Sequence, residues 1–557
     1  MTDKIIRGAG GPPPTPPSPT RAPDTLNSRQ FASIQDLISE GEIEGFATPS
    51  KAGLTKGTTA YNNAALKDIF LNDTPILNAS ASNTNPQTAD FNFQNVGFTP
   101  RFGTSNQTHV PGIEGSQSTT AVGVTVTNSS PVTRQITNTA VDAAKVTITF
   151  PQLQKATDEG DLLGSSVNLK IQVQYNSGGF TDVINDTITG RTADAYQKEY
   201  RVSFTGSFPV DIRVVRVTAD SSSSNLVDAF TWTSISEIVD DKQRYLNSAY
   251  TNLRIDSEQF SSIPKRAFRI RGVKVRIPGA GAGGSGTPSV DLQTGRIIYP
   301  SGYIFNGTMG AAQWCSCPSL ILLDLLTTER YGFGTHITDS NLDLFSFIAA
   351  SKYANELVDD GFGGQEARFS CNVNIQGSTE AFTLINELAG VMRCFPIWSE
   401  GSVTISQDRP TDPSYLFSLA NVGEGGFSYS GSSLKQRHTV INVSYFNMDS
   451  REIDYEVVED TSAQNKLGII KKDVKAFATT SRGQAQRLGK AILFSEQQET
   501  EVVSFTTSID AGAIVRPGSV ISVNDPVRGG ERRSGRIKSA TTTAITVDNT
   551  KDLDTFT

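Results

Sequence analysis

QWCSCPSLILLDLL, at residues 313–326, opens the segment that decides the fold of this chain. TERYGFG (328–334), DDGFGG (359–364) and MRCFPIW (392–398) follow it in that order. Between these motifs apolar residues recur at helical spacing, and the glycines within the motifs are typical of turns. The segment is therefore predicted to fold as an α+β domain, in which helices pack against short strands.

Two amphipathic helices are predicted in this segment, at residues 341–356 and 378–393. Ser378 is a suitable N-cap for the second helix, and Pro396 ends it. A further helix is predicted after the capping box of Ser481 and Gln484. The positions of the first two helices that we expect to face the core are Leu344, Phe347 and Ile348, and then Phe382, Ile385 and Leu388.

The residues that precede the segment favour strands, with one exception. Apolar residues such as Ile34 and Ile38 fall at helical spacing, which predicts a helix over residues 27–41. After it, IEGF (43–46) and LKDIFLNDTPIL (66–77) read as short strands, the latter with an Asn-Asp turn. These strands are a plausible opening of a small barrel.

Residues 86–240 change character and become rich in Thr, Ser and Asn. Runs such as KVTITF (145–150), NLKIQVQY (168–175) and DIRVVRVT (211–218) alternate apolar and polar residues and are separated by turn signals. This pattern predicts a β-sandwich. We interpret it as an insertion, after which the chain rejoins the first domain through strands in residues 241–277.

Two segments are predicted to lack regular structure. PGAGAGGSGTP (278–288) contains a nominal G-x-G-x-x-G, but TPSVDL follows where a dinucleotide-binding motif requires a helix, so a loop is predicted. The proline-rich residues 8–23 carry too little apolar surface to fold. They are expected to be extended or disordered, or to order only against a neighbour.

Composition and charge argue against several classes of protein. The chain has 557 residues, of which 37% are apolar and 19% charged, with a net charge of −8 and a pI near 5.2. A protein that grips nucleic acid through its phosphates needs an excess of Lys and Arg. No apolar run approaches the roughly 18 to 20 residues that cross a bilayer. Four cysteines fit synthesis in a reducing cytosol.

The residue types that carry catalysis or bind metals are scattered. No histidine lies in an H-E-x-x-H or related frame, so structural or surface roles are expected for His109, His336 and His438. The cysteines lack the paired C-x₂-C spacing of thiolate metal sites, and burial near Trp314 and Trp398 is favoured. Whether Cys315 and Cys317 bind a metal stays open at this point. The other two cysteines are Cys371 and Cys394.

Two charged clusters are candidate binding sites. The acidic turn of Asp359 and Asp360 with Glu366 lacks the alternating oxygen ligands of a calcium loop, so a glycine-containing turn is favoured. Residues 265–276 hold six basic residues interleaved with apolar ones, and the alternation slips at Gly272. A strand face that pairs with nearby acids is favoured there over nucleic-acid binding. No catalytic, cofactor-binding or metal-binding residue is predicted.

Several motifs in a fixed order give the chain a family resemblance. Together with the central segment and QDRP (407–410), they resemble the central tail-tip protein of lambda-like siphophages, the host-specificity or tail hub protein. Each motif is weak alone, but their common order is specific. The motifs outside the central segment are ISEGEIEGF (38–46), DSEQF (256–260), SLKQRH (433–438), VVEDT (457–461) and TSRGQA (480–485).

The resemblance implies a mainly β, multidomain hub with α+β parts, in which two small β-barrel domains of each protomer help to form a ring-shaped trimer. Strand edges in such a ring would be capped by neighbouring copies. The expected domains are a disordered segment (1–25), a first barrel (26–85 with 241–277), an inserted sandwich (86–240), a connector (278–288), an α+β domain (289–400) and a second barrel region, truncated at its C-terminal end (401–557).

The implied function is structural and not enzymatic. In that family the hub closes the tail tube, connects it to receptor-binding parts and opens so that DNA can leave. The implied partners are two further copies of the chain, the tail tube and distal tail proteins, the tape-measure protein and other tail-tip proteins. DNA would pass without specific binding, and the host receptor would be bound outside this chain. The expected location is the virion tail tip, after assembly in the host cytoplasm.

Two other classes remain as alternatives. One is another tail structural protein, such as a distal tail adaptor, which would form sixfold instead of threefold rings. The other is a β-rich glycan-degrading tail enzyme that uses acids such as Asp359, Asp360 or Glu366. Symmetry in particle images would identify the first, and a carbohydrate-release assay would identify the second.

Overall fold

The computed structural model describes residues 19–260, 262–377, 380–399, 401–431, 433, 437–529 and 537–547. The chain divides into two compact units, residues 1–271 and 272–557. Strands predominate in both units, so the predicted mainly β class with α+β parts is confirmed. No helix in the described part of the chain is long and apolar enough to cross a membrane.

The first unit is built from strands and a few short helices. Its first elements are β1 (Phe31–Glu40), β2 (Ile43–Phe46), α1 (Ala47–Lys51), α2 (Thr59–Ala65), β3 (Ile69–Leu71), β4 (Thr74–Pro75) and β5 (Gly97–Phe102). The next are β6 (Glu114–Thr125), β7 (Val132–Ile136), β8 (Ala143–Phe150), β9 (Gln154–Ala156), β10 (Leu162–Leu163), β11 (Ser165–Tyr175), β12 (Thr181–Gly190), β13 (Tyr196–Ser203), β14 (Val210–Arg216), β15 (Leu226–Val227) and β16 (Thr231–Asp240). The last are β17 (Ser248–Asp256), β18 (Arg266–Phe268) and β19 (Ile270–Val273).

The predicted helix at residues 27–41 is wrong, because these residues form β1. The strand pairs antiparallel with β17, from Phe31 opposite Asp256 to Glu40 opposite Ser248. Ala32, Ile34 and Ile38 pack against the core, and intervening residues are more exposed. Ile34 and Ile38 are compatible with both helical and strand spacing, and pairing with a distant strand decides between the two.

The small sheets of the first unit do not close into the predicted barrel. Among the described residues, β1, β17 and β5 form one open three-stranded sheet, and β18, β3 and β4 form another. Their core includes Phe46, Tyr61, Ile69, Leu71 and Leu253. The Asn72-Asp73 turn between β3 and β4 was predicted, and both of its residues have positive φ.

Two four-stranded antiparallel sheets face each other across a single core in residues 114–240. The first sheet has the order β12-β11-β14-β7 and the second β13-β8-β16-β6. Val167, Leu169 and Ile171 of β11 are fully buried, and Trp232 of β16 is buried against the same core. We refer to this part as the sandwich. The predicted insertion began at residue 86, but β5 pairs with β17 and not with a sandwich strand.

The end of the proline-rich segment docks onto the sandwich. The Arg191 side chain is 2% exposed, and its Nη1 donates to the Ala22 carbonyl at 2.7 Å and to Asp24 Oδ1 at 2.5 Å. The N–H groups of Thr25 and Leu26 donate to the Arg191 carbonyl. Residues 19–26 are therefore fixed by specific hydrogen bonds. The rest of the segment predicted to be disordered lies outside the described residues.

The second unit alternates helices with short strands. Its first part contains β20 (Val275–Pro278), β21 (Ser289–Val290), β22 (Ile297–Ile298), β23 (Met309–Gln313), α3 (Pro318–Thr327), α4 (Leu344–Ala354), β24 (Leu357–Asp359), β25 (Gln365–Ala367), α5 (Ala381–Val391), β26 (Cys394–Ser399) and β27 (Ser402–Gln407). Its second part contains β28 (Tyr415–Ser418), β29 (Ser428–Gly431), β30 (Val440–Asn447), β31 (Glu452–Glu459), α6 (Thr461–Leu467), β32 (Lys471–Lys475), α7 (Arg482–Gln498), β33 (Glu501–Ser504), α8 (Ile509–Ile514), β34 (Ile521–Asn524), α9 (Pro526–Gly529), β35 (Ile537–Ala540) and β36 (Ile545–Val547).

The helices of the central segment surround one apolar core. Leu322 of α3, Phe347 of α4 and Leu388 of α5 are fully buried in it. The predicted helices at 341–356 and 378–393 therefore exist as the shorter α4 and α5. Phe382 was expected to face the core, but it is 70% exposed. The predicted N-cap Ser378 lies outside the described residues.

The second part of this unit contains a three-stranded sheet with the order β31-β30-β32. Helix α7 packs on one face, where Ile441, Val443, Val458 and Ala485 form a small core. Ser481 caps α7 as predicted, since its Oγ accepts the Gln484 N–H at 3.2 Å. The described sheets of residues 401–547 are open, so the second predicted barrel is not seen as a closed sheet.

Candidate functional site

The acidic turn between β24 and β25 is held together by its own carboxylates. Asp360 Oδ1 accepts the N–H groups of Phe362 at 2.7 Å and Gly364 at 2.9 Å, and these bonds lower the pKa of Asp360. Glu366 pairs with Arg487 of α7 at 2.7 Å and accepts a hydrogen bond from Ser481. These carboxylates therefore fasten the turn to the start of α7. Within the described ranges, no three His, Cys, Asp or Glu side chains are grouped as metal ligands would be.

All four cysteines are buried and free. Burial raises the pKa of Cys371 and of Cys394 to about 12. It also raises the pKa values of Cys315 and Cys317. The thiols are therefore protonated at neutral pH and behave as small apolar groups. The expected shielding by Trp398 is wrong, since that side chain is 66% exposed.

The histidines take part in local hydrogen bonds. His438 Nδ1 lies 2.8 Å from Glu496, whose other oxygen accepts from Lys472 at 3.0 Å. The His109 carbonyl accepts a hydrogen bond from Arg101. The His336 N–H donates to the Phe333 carbonyl at 2.8 Å. The ring contact of His438 is a hydrogen-bonded structural role of the predicted kind, whereas the contacts of His109 and His336 involve their backbone groups, so their predicted roles stay predictions.

The basic run at residues 265–276 pairs with acids from distant parts of the sequence. Arg266 binds Asp36 through two nitrogens, at 2.7 and 2.8 Å. Arg269 lies 2.7 Å from the buried Asp68, whose pKa is raised by that burial. The favoured prediction, a strand face paired with acids, is confirmed for these two arginines. The strands break between β18 and β19 and between β19 and β20, not at Gly272.

The same pairing continues at the end of the run. Arg276 binds Asp339 at 2.7 and 2.8 Å. The hydrogen bond from Arg276 holds the pKa of Asp339 below its usual value. The acids that neutralise these arginines lie too far away in sequence for a pattern search to find.

The feature that sequence reasoning missed is an inverted strand. In β31, Ile453, Tyr455 and Val457 are 63%, 59% and 55% exposed. The alternate residues point towards α7, where Glu456 is 6% exposed and pairs with Arg482 at 2.7 Å. The strand therefore carries an apolar row on its outer face, while Glu456 and Val458 are its buried residues. Alternation in IDYEVV predicted the strand, but not which face would be buried.

Further apolar side chains are exposed near the end of the described chain. Ile509 of α8 is 91% exposed, and Val527 of α9 is 85% exposed. Phe494 of α7 and Val502 of β33 are 64% and 63% exposed. Large exposed apolar patches are typical of surfaces that bind other proteins. The second unit therefore carries several exposed large apolar side chains, whereas its acids Asp360 and Glu366 are engaged in local contacts.

Comparison with known proteins finds two matching domain models. Residues 116–241 match the model of the FNIII-A domain of tip attachment protein J, and residues 380–540 match the model of a putative phage tail protein. The first match coincides with the sandwich. The second includes the sheet β31-β30-β32 and its helix α7.

Two curated relatives extend the similarity along almost the whole chain. Tip attachment protein J of Escherichia phage SECphi27 is 29% identical over 94% of this chain and 41% of its own length. Its counterpart in Escherichia phage SECphi4 is 30% identical over 98% of this chain and 45% of its own length. The chain thus spans less than half the length of these relatives. The resemblance carried by the sequence motifs is confirmed, since the chain is similar to tip attachment protein J over almost its whole length.

Proposed function

We propose that this chain is a structural component of the virion that forms the central hub of the phage tail tip. It closes the tail tube, links the tube to receptor-binding parts and opens for DNA ejection during attachment to the host. The observation that carries this proposal is the similarity to two tip attachment proteins over almost the whole chain.

The proposal includes a set of partners. Three copies form a ring at the end of the tail, and the ring binds the tail tube, distal tail proteins, the tape-measure protein and other tail-tip proteins. The host receptor is bound by a region outside this chain, and assembly takes place in the host cytoplasm. The exposed apolar side chains of the second unit support a role in which protein–protein contacts are essential.

The charge of the chain suits the passage of DNA without binding. The net charge is −8, and three arginines of the basic run are paired with carboxylates. A neutral or acidic channel wall repels or ignores phosphate groups, whereas a basic wall would retain them. We therefore expect the side chains that line the channel to be acidic or neutral.

Imaging of tails tests the proposal directly. Purified phage tails are labelled with an antibody against the sandwich and examined by cryo-electron microscopy, with and without imposed symmetry. The expected result is label at the distal end of the tube and threefold density for the chain. Label along the tube, or a sixfold ring above the tip, would replace the proposal by another structural protein such as a distal tail adaptor.

A glycan-degrading activity is tested separately. Purified protein is incubated with host surface polysaccharide, and released reducing sugar is measured for the wild type, Asp360→Asn and Glu366→Gln. No release is expected, because Asp360 binds the N–H groups of its own turn and Glu366 binds Arg487. Release that both substitutions abolish would overturn a purely structural function.

A further inference from the structure

The two edges of the sheet β31-β30-β32 carry opposite charge. Strand β31 contributes three exposed acids, Glu452, Asp454 and Glu459, whereas its Glu456 is buried and paired with Arg482. Strand β32 has the sequence KKDVK, and its lysines are exposed. In the part of the chain that the structure describes, no further strand pairs with the outer edge of either one. Each edge therefore offers unpaired backbone groups to an added strand.

This distribution of charge determines which edge of the sheet can pair with which edge of a second copy. Two β31 edges would bring acids together, and two β32 edges would bring lysines together. Like charges placed opposite each other are destabilising in paired strands. Only the pairing of β31 with β32 places opposite charges together. The lysines that keep one edge from pairing with itself thus favour its pairing with the other edge.

We propose that β31 of one copy of this chain pairs with β32 of a second copy, so that the sheet continues from copy to copy. This inference rests on the self-assembly included in the proposed function and names the surface that mediates it. Each copy uses β31 towards one neighbour and β32 towards the other. Such head-to-tail contacts close into a ring when the rotation between copies is suitable.

The strand directions allow this pairing. Strand β31 is antiparallel to β30, and β32 is parallel to β30, so β31 and β32 are antiparallel to each other. When copies are related by rotation about an axis along the strands, their directions are kept. The new pair is then antiparallel and can form regular hydrogen bonds.

The side chains of the outer face fit the same pairing. Tyr455 and Val457 lie opposite Ser444 and Asn442, and are exposed on the face away from α7. On the same face Lys475 also lies beside Ser444, and Lys471 lies at the register of Glu459. In a continued sheet, the lysine stems of one copy would cover the apolar row of the next. This would explain why β31 turns apolar side chains away from its own core.

Disulfide cross-linking tests the contact. Val457→Cys is combined in turn with Lys471→Cys, Asp473→Cys or Lys475→Cys in the full chain. Within one copy these positions are separated by two strand spacings, about 10 Å, which a disulfide cannot bridge. A bond between them therefore joins two copies. The native cysteines are buried and do not compete. The matched control pairs Val457→Cys with Val183→Cys on the sandwich, which is also exposed.

The expected result is a ladder of linked copies on non-reducing gels for at least one pair, and none for the control. Charge reversal provides a second measurement by sedimentation velocity. Lys471→Glu with Lys475→Glu, or Glu452→Lys with Glu459→Lys, should weaken self-association about tenfold or more, and all four changes together should restore it. Thermal unfolding of each variant checks that it folds.

The outcomes separate this inference from the proposed function. If the chain assembles but no pair cross-links and the reversals have no effect, the contact is wrong and the copies meet elsewhere. If the chain stays monomeric, the contact is also wrong, and the position of the chain in labelled tails still decides the proposed function. If a cysteine pair cross-links two copies but the tails show no label at the tip, the contact is supported and the proposed function is wrong.

Discussion

The sandwich and the sheet β31-β30-β32 use the same alternating pattern in opposite ways. In β11 of the sandwich, Val167, Leu169 and Ile171 face the opposite sheet and are fully buried. In β31, Ile453, Tyr455 and Val457 face solvent. Each sheet of the sandwich is covered on its apolar face by the other sheet, whereas in the described residues α7 packs on the three-stranded sheet on the face opposite to its apolar row. The alternation of apolar and polar residues therefore shows that a strand has two different faces. The helix or sheet that packs against the strand decides which of the two faces is buried.

The difference has an energetic consequence. Full burial of a Val, Leu or Ile side chain contributes about 1.5–3 kcal/mol. The sandwich obtains this contribution from most of its core strands, since residues of both sheets share one core. The apolar row of β31 contributes much less as long as nothing covers it. We therefore expect substitutions in the two regions to differ in effect.

The largest effect is expected in the sandwich core. Trp232→Ala should lower the free energy of unfolding by about 3–5 kcal/mol, because a fully buried ring is replaced by a cavity. Tyr455→Ala, the matched change on β31, should alter it by no more than about 0.5 kcal/mol. Urea unfolding followed by circular dichroism measures both at high dilution. Equal losses of unfolding free energy would show that Tyr455 is covered in solution. The predicted difference between the sandwich and β31 would then be wrong.

The next largest effect is expected for a buried ion pair of the sandwich. Arg216 and Asp228 are 2% and 7% exposed and lie 2.7 Å apart. Asp228→Ala should cost about 2 kcal/mol, because it removes the buried one of two carboxylates that pair with Arg216, the other being Asp220 at 3.1 Å. Arg482→Ala in the other region should cost about 1 kcal/mol, because the buried Glu456 keeps a hydrogen bond from Gln486 at 3.3 Å. Thermal unfolding of both variants measures the two losses of stability. A larger loss for Arg482→Ala than for Asp228→Ala would contradict the prediction.

A smaller effect is expected at the start of α7, the helix that covers the inner face of the three-stranded sheet. Ser481→Ala removes the cap on the Gln484 N–H and should cost about 1 kcal/mol. Ser481→Thr retains a hydroxyl and serves as the control. Both are measured by urea unfolding. No difference between the two would show that the hydroxyl contributes little to the stability of this region.

The smallest effect is expected for the dependence of stability on acidic pH. In the sandwich, burial raises the pKa of Asp186, but hydrogen bonds from Lys198 and Tyr200 outweigh it and hold the pKa below 3.8. In the other region, burial likewise opposes hydrogen bonds from His438 and Lys472, and the pKa of Glu496 is held below 4.5. Both groups stabilise the fold above these values, and this contribution is lost as the pH falls through the lowered pKa.

Asp186→Asn and Glu496→Gln should therefore each flatten the acid end of the curve that relates stability to pH. Unfolding midpoints measured from neutral pH downwards check this. Since both groups are partly exposed, the two changes should be small and similar. If stability at low pH changed strongly in only one of the two variants, acid would destabilise only the region that contains that residue.

Features of short sequence range could be predicted from the residues. The Asn72-Asp73 turn and the Ser481 cap each depend on backbone groups within a few positions. Helix α4 was predicted within a few residues of its ends, because three apolar residues mark one face. The failure at β1 has the opposite cause, since its partner β17 lies more than two hundred positions away. Local spacing does not contain that partner.

The candidate site shows the same division. The four cysteines and the acidic turn were expected to have structural roles, and their residue types and spacing were sufficient for that prediction. The partners of the basic run, such as Asp36 and Asp68, could not be predicted, because the folded chain brings them together across long intervals. The exposed apolar row of β31 was missed for the same reason. The alternation of apolar and polar residues does not show which face of a strand is buried.

The sequence by itself determined the strand-rich class, the turns, the helix cap and the resemblance to tail-tip proteins, because these depend on residue types at short or fixed spacing. Only the tertiary structure decided which strands pair, which acids neutralise the arginines and which face of β31 stays exposed. The physical reason is that burial and charge pairing are properties of surfaces brought together by folding. A strand acquires an inner face only when another layer packs against it.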